Sequence, residues 1–455
     1  MPPRTTVAAQ EPRASPPRPG DRLARGAAAA AVLALSAAAA FAVSHRPLWA
    51  LAAGLLAVVV AAAAARLPFA VAILVASFYF DSYLAVGVGV VTVGKLLGLL
   101  AAAAWFLRWS VARRPVAGDP LLWPLAGLAA WIPLSVSTAY DQPAGLTAAL
   151  RYLTFFTLAF LVVQAVDGDR RTATRMVDVA VAAGAASALV GLYNFFSVSG
   201  DGRAHGPLSD PNDFAFVLAV TVPLALHRAR SAARPLHRAL AAMLAAILAS
   251  FSRSALVGLA VAGAWAAATR RLPLRSALLA VAGLLAVALV SFLLQPERVE
   301  SALLEKRHVA QSNIDTRLVA WRVALEEFGS SPVLGVGPGN FEVRFDEFEL
   351  PPDAQDGPLA THNAYLSVLA ELGAPGLALF LAYLAMAWSR LRRRLPGDQD
   401  ADALQSALAG GFVVAMVGAV FLTEQFYAPL WLLPAIGATL AREPPAGRVR
   451  AERAG

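Results

Sequence analysis

Most of the chain is built from runs of apolar residues separated by short polar loops. The runs are about 16–24 residues long, the length that crosses a bilayer as a helix. Spans are predicted at roughly 26–44, 47–65, 67–86, 91–108, 120–138, 149–167, 176–196, 211–226, 236–251, 254–270 and 274–294, then at 363–388, 404–422 and 427–441. Most are apolar on every side, whereas a helix of a soluble protein shows only a stripe. One long polar stretch, Gln295 to Thr361, interrupts the series. Inside it, Leu318, Trp321, Leu325 and Phe328 recur at helical spacing and predict an amphipathic helix from about Asp315 to Phe328, its apolar stripe lying on the membrane or on the bundle.

The expected fold is therefore an all-α, polytopic membrane bundle of about 12–14 transmembrane helices. Its predicted parts are a disordered basic tail over 1–25, spans within 26–294, the long loop 295–361, further spans within 362–441 and a tail over 442–455. An uncleaved first helix is preferred to a signal peptide, because the run after Gly26 is long for a signal core. Composition supports the membrane reading: 58% of the residues are hydrophobic and 15% charged, against about 25% charged in a soluble domain. There is no cysteine, which excludes disulfides, thiol nucleophiles and thiolate metal sites.

The net charge of +8 reads as positive-inside bias and not as a nucleic-acid surface. With the N-terminus in the cytoplasm, the loops rich in arginine (Arg108, Arg113, Arg114; Arg170, Arg171, Arg175; Arg228, Arg230, Arg234; Arg270, Arg271, Arg275; Arg390, Arg392, Arg393, Arg394) all fall inside. Both termini are then cytoplasmic and the long loop faces outward. Arg46, Lys95, Arg151, Arg203 and Arg253 fall in or beside short outer loops, and Arg317 and Arg322 in the long one. Cations kept outside against that bias point to an anionic ligand, with snorkelling to lipid phosphate as the plainer reading. Lys95 is placed about a turn inside its span.

Three constellations can carry chemistry. His362 stands where the long loop meets an apolar helix, with Asn363 beside it as an orienting group or cap; a neutral imidazole there can take a proton from a sugar hydroxyl. Glu371 lies nine residues on, about 13 Å deeper in a straight helix. The turn Gly335–Phe341 holds Gly337 and Gly339, which permit tight turns or close approach of backbone to a ligand. Before the span at 211–226 come Arg203, His205, Asp210, Asn212 and Asp213; Asp210 reads as a helix cap, and two carboxylates are a weak metal signal. The chain has no HExxH, P-loop or nucleophile elbow.

Four segments together resemble the O-antigen ligase and O-antigen polymerase superfamily of bacterial polysaccharide enzymes. They are GPLSDPNDFA (206–215), SRSALVG (252–258), DTRLVAWRVALEEFGSSPVLGVGPGNF (315–341) and THNAYLSVLAELGAPGLALF (361–380). The resemblance implies a GT-C-like glycosyltransferase that needs no cofactor or metal. It would act in the bacterial inner membrane on a glycan carried by undecaprenyl pyrophosphate. The acceptor is a sugar hydroxyl of the lipid A core in a ligase, and the growing polysaccharide in a polymerase. His362 would be the base, and Arg203, Arg253 and Arg317, with Arg151 and Lys95 behind them, would hold the pyrophosphate. Asn363, Glu371, Asp210, Asn212, Trp321, Gly337 and Gly339 would support them. Attack opposite the leaving group would invert the anomeric centre. A multi-span transporter is the competing class, but the charges gather at the surface and no internal repeat is evident.

Overall fold

The computed structural model describes residues 66–81, 87–88, 91–111, 113, 115–197, 203–208, 210–230, 234–271, 317–344 and 360–440. The spans expected at 26–44, 47–65 and 274–294, both tails and Arg46 lie outside these residues. Helices follow the apolar runs: α1 (Leu67–Ser77, continued by a short 3-10 turn, Phe78–Phe80), α2 (Val93–Ser110), α3 (Leu122–Ser137), α4 (Gln142–Val166), α5 (Arg170–Ser197), α6 (Pro211–Arg230), α7 (Arg234–Ala249) and α8 (Arg253–Ala268). The long stretch contributes α9 over 317–330 and a short α10 (Phe341–Arg344). Then come α11 (Ala364–Leu391), α12 (Gln399–Gly418) and α13 (Ala428–Leu440). Apart from a two-residue antiparallel pairing, Gly87–Val88 with Val91–Thr92, the regular elements described are helical.

By length and composition, α4, α5, α11 and α12 can each cross a membrane. The most enclosed helices are α6, buried continuously from Phe214 to Val222, and α13, buried from Ala428 to Thr439. They are apolar all round because protein surrounds them. Elsewhere, Leu96, Leu99 and Phe106 on α2 and Leu189, Tyr193 and Phe196 on α5 are exposed, as lipid-facing side chains are.

Ion pairs bind the helices together at one end of the bundle: Arg228 with Asp178 at 2.5 Å, Arg170 with Asp398 at 2.5 Å, Arg394 with Asp402 at 3.0 Å and Arg390 with Asp119 at 2.9 Å. Only the last is well buried, the Asp119 side chain being 1% exposed. Arg390→Met removes its guanidinium partner and is expected to destabilise the protein by about 3 kcal/mol. Arg170→Met, at an exposed pair, is expected to cost well under about 1 kcal/mol. Thermal melts of the two variants in detergent check the contrast.

The other end carries α9 and the glycine-rich turn, and here the structure departs from the sequence expectation. The run 363–388 is not one straight span. α11 is broken at Gly373, whose φ of 68° and ψ of −175° are not helical. The rings of Tyr365 and Phe380 lie 6.1 Å apart. Fifteen positions along a straight helix would separate them by about 22 Å. The arm 364–372 therefore folds back across the top of the bundle, and the arm 374–391 is the part that descends. Glu371 stands at this elbow, not a further 13 Å down a straight helix.

The turn 331–341 is laced to the elbow. Val336 and Gly337 donate backbone N–H bonds to the carbonyls of Ala370 (2.9 Å) and Glu371 (3.0 Å), and Ala374 N–H reaches the Pro332 carbonyl at 2.9 Å. The Ser135 hydroxyl donates to both the Leu334 and Glu371 carbonyls. The N–H groups of Gly339 and Phe341 point at the Glu371 carboxylate.

Helix α9 packs on the outer arm through Ala320, Val323 and Ala324 against Ala370, with Phe341 beside them. The predicted stripe is thus not its buried face, since Leu318 and Leu325 are 55% and 53% exposed. Small residues let α9 approach the arm closely, while Leu318 and Leu325 face away from the protein.

Candidate active site

The site is assembled from four chain segments at the elbow end. The first is the loop before α6. Asp210 accepts hydrogen bonds from the N–H groups of Asn212 (2.6 Å) and Asp213 (3.1 Å), capping the helix. Arg203 is fixed in the same loop: its Nη2 donates to Asn212 Oδ1 and its Nε to the Ser250 carbonyl, both at 2.9 Å. The His205 backbone carbonyl accepts from the Asn194 side chain at 3.2 Å.

Ser250 belongs to the second segment, the tight α7–α8 turn. Ala204 N–H donates to the Ala249 carbonyl at 2.8 Å, so this turn is stitched to the Arg203 loop. Phe251 turns the corner with a φ of 53°. Arg253 follows as the first residue of α8, exposed and without a side-chain hydrogen bond or ion pair among the described residues.

Arg317, the first described residue of α9, is half-buried. The fourth segment is Thr361–His362–Asn363. His362 has a left-handed backbone, φ 46°, which is uncommon for a residue other than glycine. It is clamped on both sides. Trp321 Nε1 on α9 donates to the Thr361 carbonyl at 3.0 Å. Asn363 caps the outer arm, its Oδ1 accepting from the N–H groups of Tyr365 and Leu366. Ala364 N–H donates to the Ala419 and Leu422 carbonyls in the α12–α13 connection. Backbone strain at a residue so constrained is a recurrent mark of a functional position.

Electrostatics join these segments. Burial pushes the His362 imidazole below its ordinary pKa, the Arg317 guanidinium pushes it further, and the Asp210 carboxylate partly offsets both. Burial also lowers Arg317, again opposed by Asp210. His362, Arg317 and Asp210 are therefore electrostatic neighbours, and Arg203 reaches the same loop as Asp210 through Asn212. A neutral imidazole beside the Arg317 guanidinium can accept a proton while that group receives negative charge.

Not every predicted residue stands there. Arg151 is not at a helix end: α4 begins at Gln142, and Arg151 lies over the Phe426 ring, 4.4 Å from its centroid. Lys95 is the third residue of α2, whose packing is against α1 and α4. The close approach made by Gly337 and Gly339 is to protein, since a Cβ on them would meet Ala139 at 2.4 Å and Ala148 at 2.8 Å. Glu371 likewise holds the turn.

Sequence reasoning missed the α12–α13 connection. Gln425 there is fully buried and donates to the Ser367 hydroxyl at 2.9 Å, and the Tyr427 hydroxyl donates to Asp213. Thr423-Glu424-Gln425, three polar residues between apolar runs, was the available signal.

Residues 239–381 match the family model described as O-antigen ligase. They belong to the O-antigen ligase and polymerase superfamily. The O-antigen ligase match runs from α7 into the descending arm of α11, so it contains Arg253, Arg317, Trp321, the glycine-rich turn and His362. Arg203, Asp210 and Asn212 precede it, and the structure brings them to it. No curated protein matches the chain. Members of this superfamily are glycosyltransferase-like membrane enzymes, ligases and polymerases of polysaccharide, and the apolar helices here are those of a multi-pass membrane protein.

Proposed function

We propose that the protein moves a glycan from an undecaprenyl pyrophosphate carrier to an acceptor sugar hydroxyl at the outer face of the bacterial inner membrane. The observation that carries this reading is the meeting of His362 with Arg317 and the Arg203 loop on one end of the bundle. The acceptor O–H attacks the anomeric carbon while the bond to the pyrophosphate oxygen breaks. The electron pair of that bond stays on the pyrophosphate, where Arg203, Arg317 and the nearby Arg253 receive its charge. His362 takes the hydroxyl proton. Attack opposite the leaving group inverts the anomeric centre. A ligase uses a lipid A core sugar as acceptor and a polymerase the next repeat unit; we assign the ligase reaction, with polymerisation as its alternative.

Purified protein given lipid-linked glycan and acceptor is expected to yield glycosylated acceptor and free undecaprenyl pyrophosphate. Intact lipid-linked glycan after incubation of a folded preparation overturns the enzyme reading. In a deletion strain, long glycans stranded on the carrier mark a ligase and single repeat units mark a polymerase.

The pH dependence carries its own check. His362 must be neutral to act as base, so activity rises with pH through its lowered pKa. Arg317→Gln removes a cation that lowers this pKa, and the acid limb is expected to move to higher pH. Asp210→Asn removes the opposing anion, and the limb is expected to move to lower pH. Initial rates against pH for the two variants test the opposite signs.

A further inference from the structure

The outer arm 364–372 turns a polar edge into the protein. Asn363, Ser367 and Glu371 follow one another at intervals of four, which puts them on one helical face, and all three are buried. Asn363 is the cap of the arm. Ser367 is met from the α12–α13 connection by Gln425, whose Nε2 donates to its hydroxyl at 2.9 Å. The Glu371 carboxylate receives the N–H groups of Gly339 and Phe341, but its Oε2 has no hydrogen-bond partner among the described residues.

Two further buried atoms share that condition. The hydroxyl of Tyr152, on α4, and Oε1 of Gln425 make no hydrogen bond among the described residues, and both side chains are enclosed. The Tyr152 hydroxyl stands close to the Gln425 side chain, and the Glu371 carboxylate is its electrostatic neighbour. None of these groups is free to swing out to solvent. Trp431 Nε1 donates to the Gln425 carbonyl at 3.0 Å, and the Phe426 ring packs 4.8 Å from that of Tyr152. Buried oxygens without partners are costly, and folded proteins satisfy them, often with an ordered water. The inventory here matches one. The phenol supplies a donor, Gln425 Oε1 and Glu371 Oε2 supply two acceptors, and a water accepts from the first while donating to the other two. A monovalent cation would serve the oxygens but leave the Tyr152 proton without an acceptor, and Arg151 is already an electrostatic neighbour of Glu371.

We propose that a water bound between Tyr152, Gln425 and Glu371 seats the outer arm, and that Gln425 is a positioning residue for His362. Gln425 acts through Ser367, one turn into the arm. The same connection takes Ala364 N–H on the carbonyls of Ala419 and Leu422, so the turn that follows His362 is tied to it twice, once by backbone and once by side chain. Tyr427, two residues on, donates to Asp213 beside the Asp210 loop. The connection therefore links the arm that carries His362 to the loop that carries Asp210, and the water adds α4 to the same joint. The water site stands on burial and hydrogen bonding alone. The positioning role rests on the proposed function, because it matters only if the His362 ring meets a substrate.

The test uses the full-length protein in lipid nanodiscs. A cryo-electron microscopy map fine enough to show ordered solvent is expected to carry density between Tyr152, Gln425 and Glu371 in wild type, and none there in the Tyr152→Phe/Gln425→Met double variant. Melts of the two single variants and the double form a cycle. Because the two side chains share a water and no direct bond, the double is expected to melt no lower than the weaker single. Additive losses overturn the water, as does a dry map. Density that strengthens when sodium is exchanged for rubidium assigns a cation and overturns it too. For the positioning role, Gln425→Met and Ser367→Ala both remove the tie to the arm, and Ser367→Ala reports it alone if Gln425→Met fails to fold. Each is expected to lower kcat by about tenfold to hundredfold with KM nearly unchanged, since a shift of about 1 Å costs roughly 10²-fold. Tyr152→Phe loses less, because Gln425 still reaches Ser367. Diethyl pyrocarbonate labelling at His362, read by peptide mass spectrometry, follows the ring without any substrate and is expected to change several-fold in the two tie variants. Wild-type kcat and wild-type labelling in a folded tie variant overturn the positioning role. A wild-type protein that transfers no glycan, with labelling that still responds to the tie variants, sinks the enzyme reading and leaves the placement of the ring by Gln425 standing.

Discussion

His362→Ala is expected to lower glycan transfer by about 10²–10⁴-fold while the protein still folds and inserts, the range typical for loss of a general base. The side chain is only partly buried, and the hydrogen bonds that hold its segment run through backbone atoms of Thr361 and Ala364 and the side chain of Asn363. Alanine keeps all of them. The melting temperature is therefore expected to stay close to wild type. Steady-state rates on lipid-linked glycan, measured beside a melt, separate the two effects. A variant that melts normally and transfers at the wild-type rate would remove His362 from the chemistry. Arg317→Gln should differ in kind, with a smaller rate loss and the displaced acid limb, because it still leaves a base in place.

How much of this could be read from residues alone differs by feature, and for physical reasons. Uniformly apolar runs locate helices because the bilayer demands an unbroken apolar length, whatever packs beside them. Helix ends are less visible in such runs. The span expected at 149–167 put Arg151 beside a loop because charge usually sits at a boundary, yet Asp141 and Pro143 are the stronger start signal, a cap followed by proline in the first turn. The elbow was hidden for a similar reason. Gly373-Ala374-Pro375 reads as part of one apolar helix by hydropathy, while the glycine followed closely by proline is a stop and restart. The apolar stripe of α9 left its partner open between membrane and bundle, because periodicity shows a face and not what covers it. Alanines on another face make the protein contact. His362 and the arginines stand out in the sequence as candidates because they are polar residues beside long apolar runs. Their convergence does not, since Arg203 and His362 are joined only through the folded loops.

The second large effect is expected at Gly373, where alanine should undo the elbow. Its φ of 68° disfavours any L side chain, and an added Cβ would sit 2.1 Å from the Val333 carbonyl oxygen and 2.9 Å from that of Pro332. Those atoms are backbone and cannot swing aside. Nor can the turn retreat as a whole. The Trp131 indole N–H holds the Leu372 carbonyl at 2.9 Å and Ser135 holds those of Leu334 and Glu371. On the facing side, Gly335 has the same problem in reverse, since its Cβ would meet the Glu371 carbonyl at 2.3 Å. Elbow and turn are thus locked against each other through two glycines, and relief at one requires breaking the hydrogen bonds of both. A loss of about 4 kcal/mol or more in the docking of this end is expected, the range reserved for clashes with fixed structure. The spanning helices do not depend on these contacts, so the variant should still insert. Gly263→Ala, with nothing within 4 Å of the new methyl, is the matched control and should melt within about 0.5 kcal/mol of wild type. Because the arm 364–372 carries His362, undocking moves the base, and a misplacement of even about 1 Å costs roughly 10²-fold in rate. Gly373→Ala is therefore expected to become sensitive to protease within 317–344 and to lose transfer activity together. If it resists protease and transfers normally, the elbow is not what positions His362, and the clamp by Trp321 and Asn363 must suffice by itself.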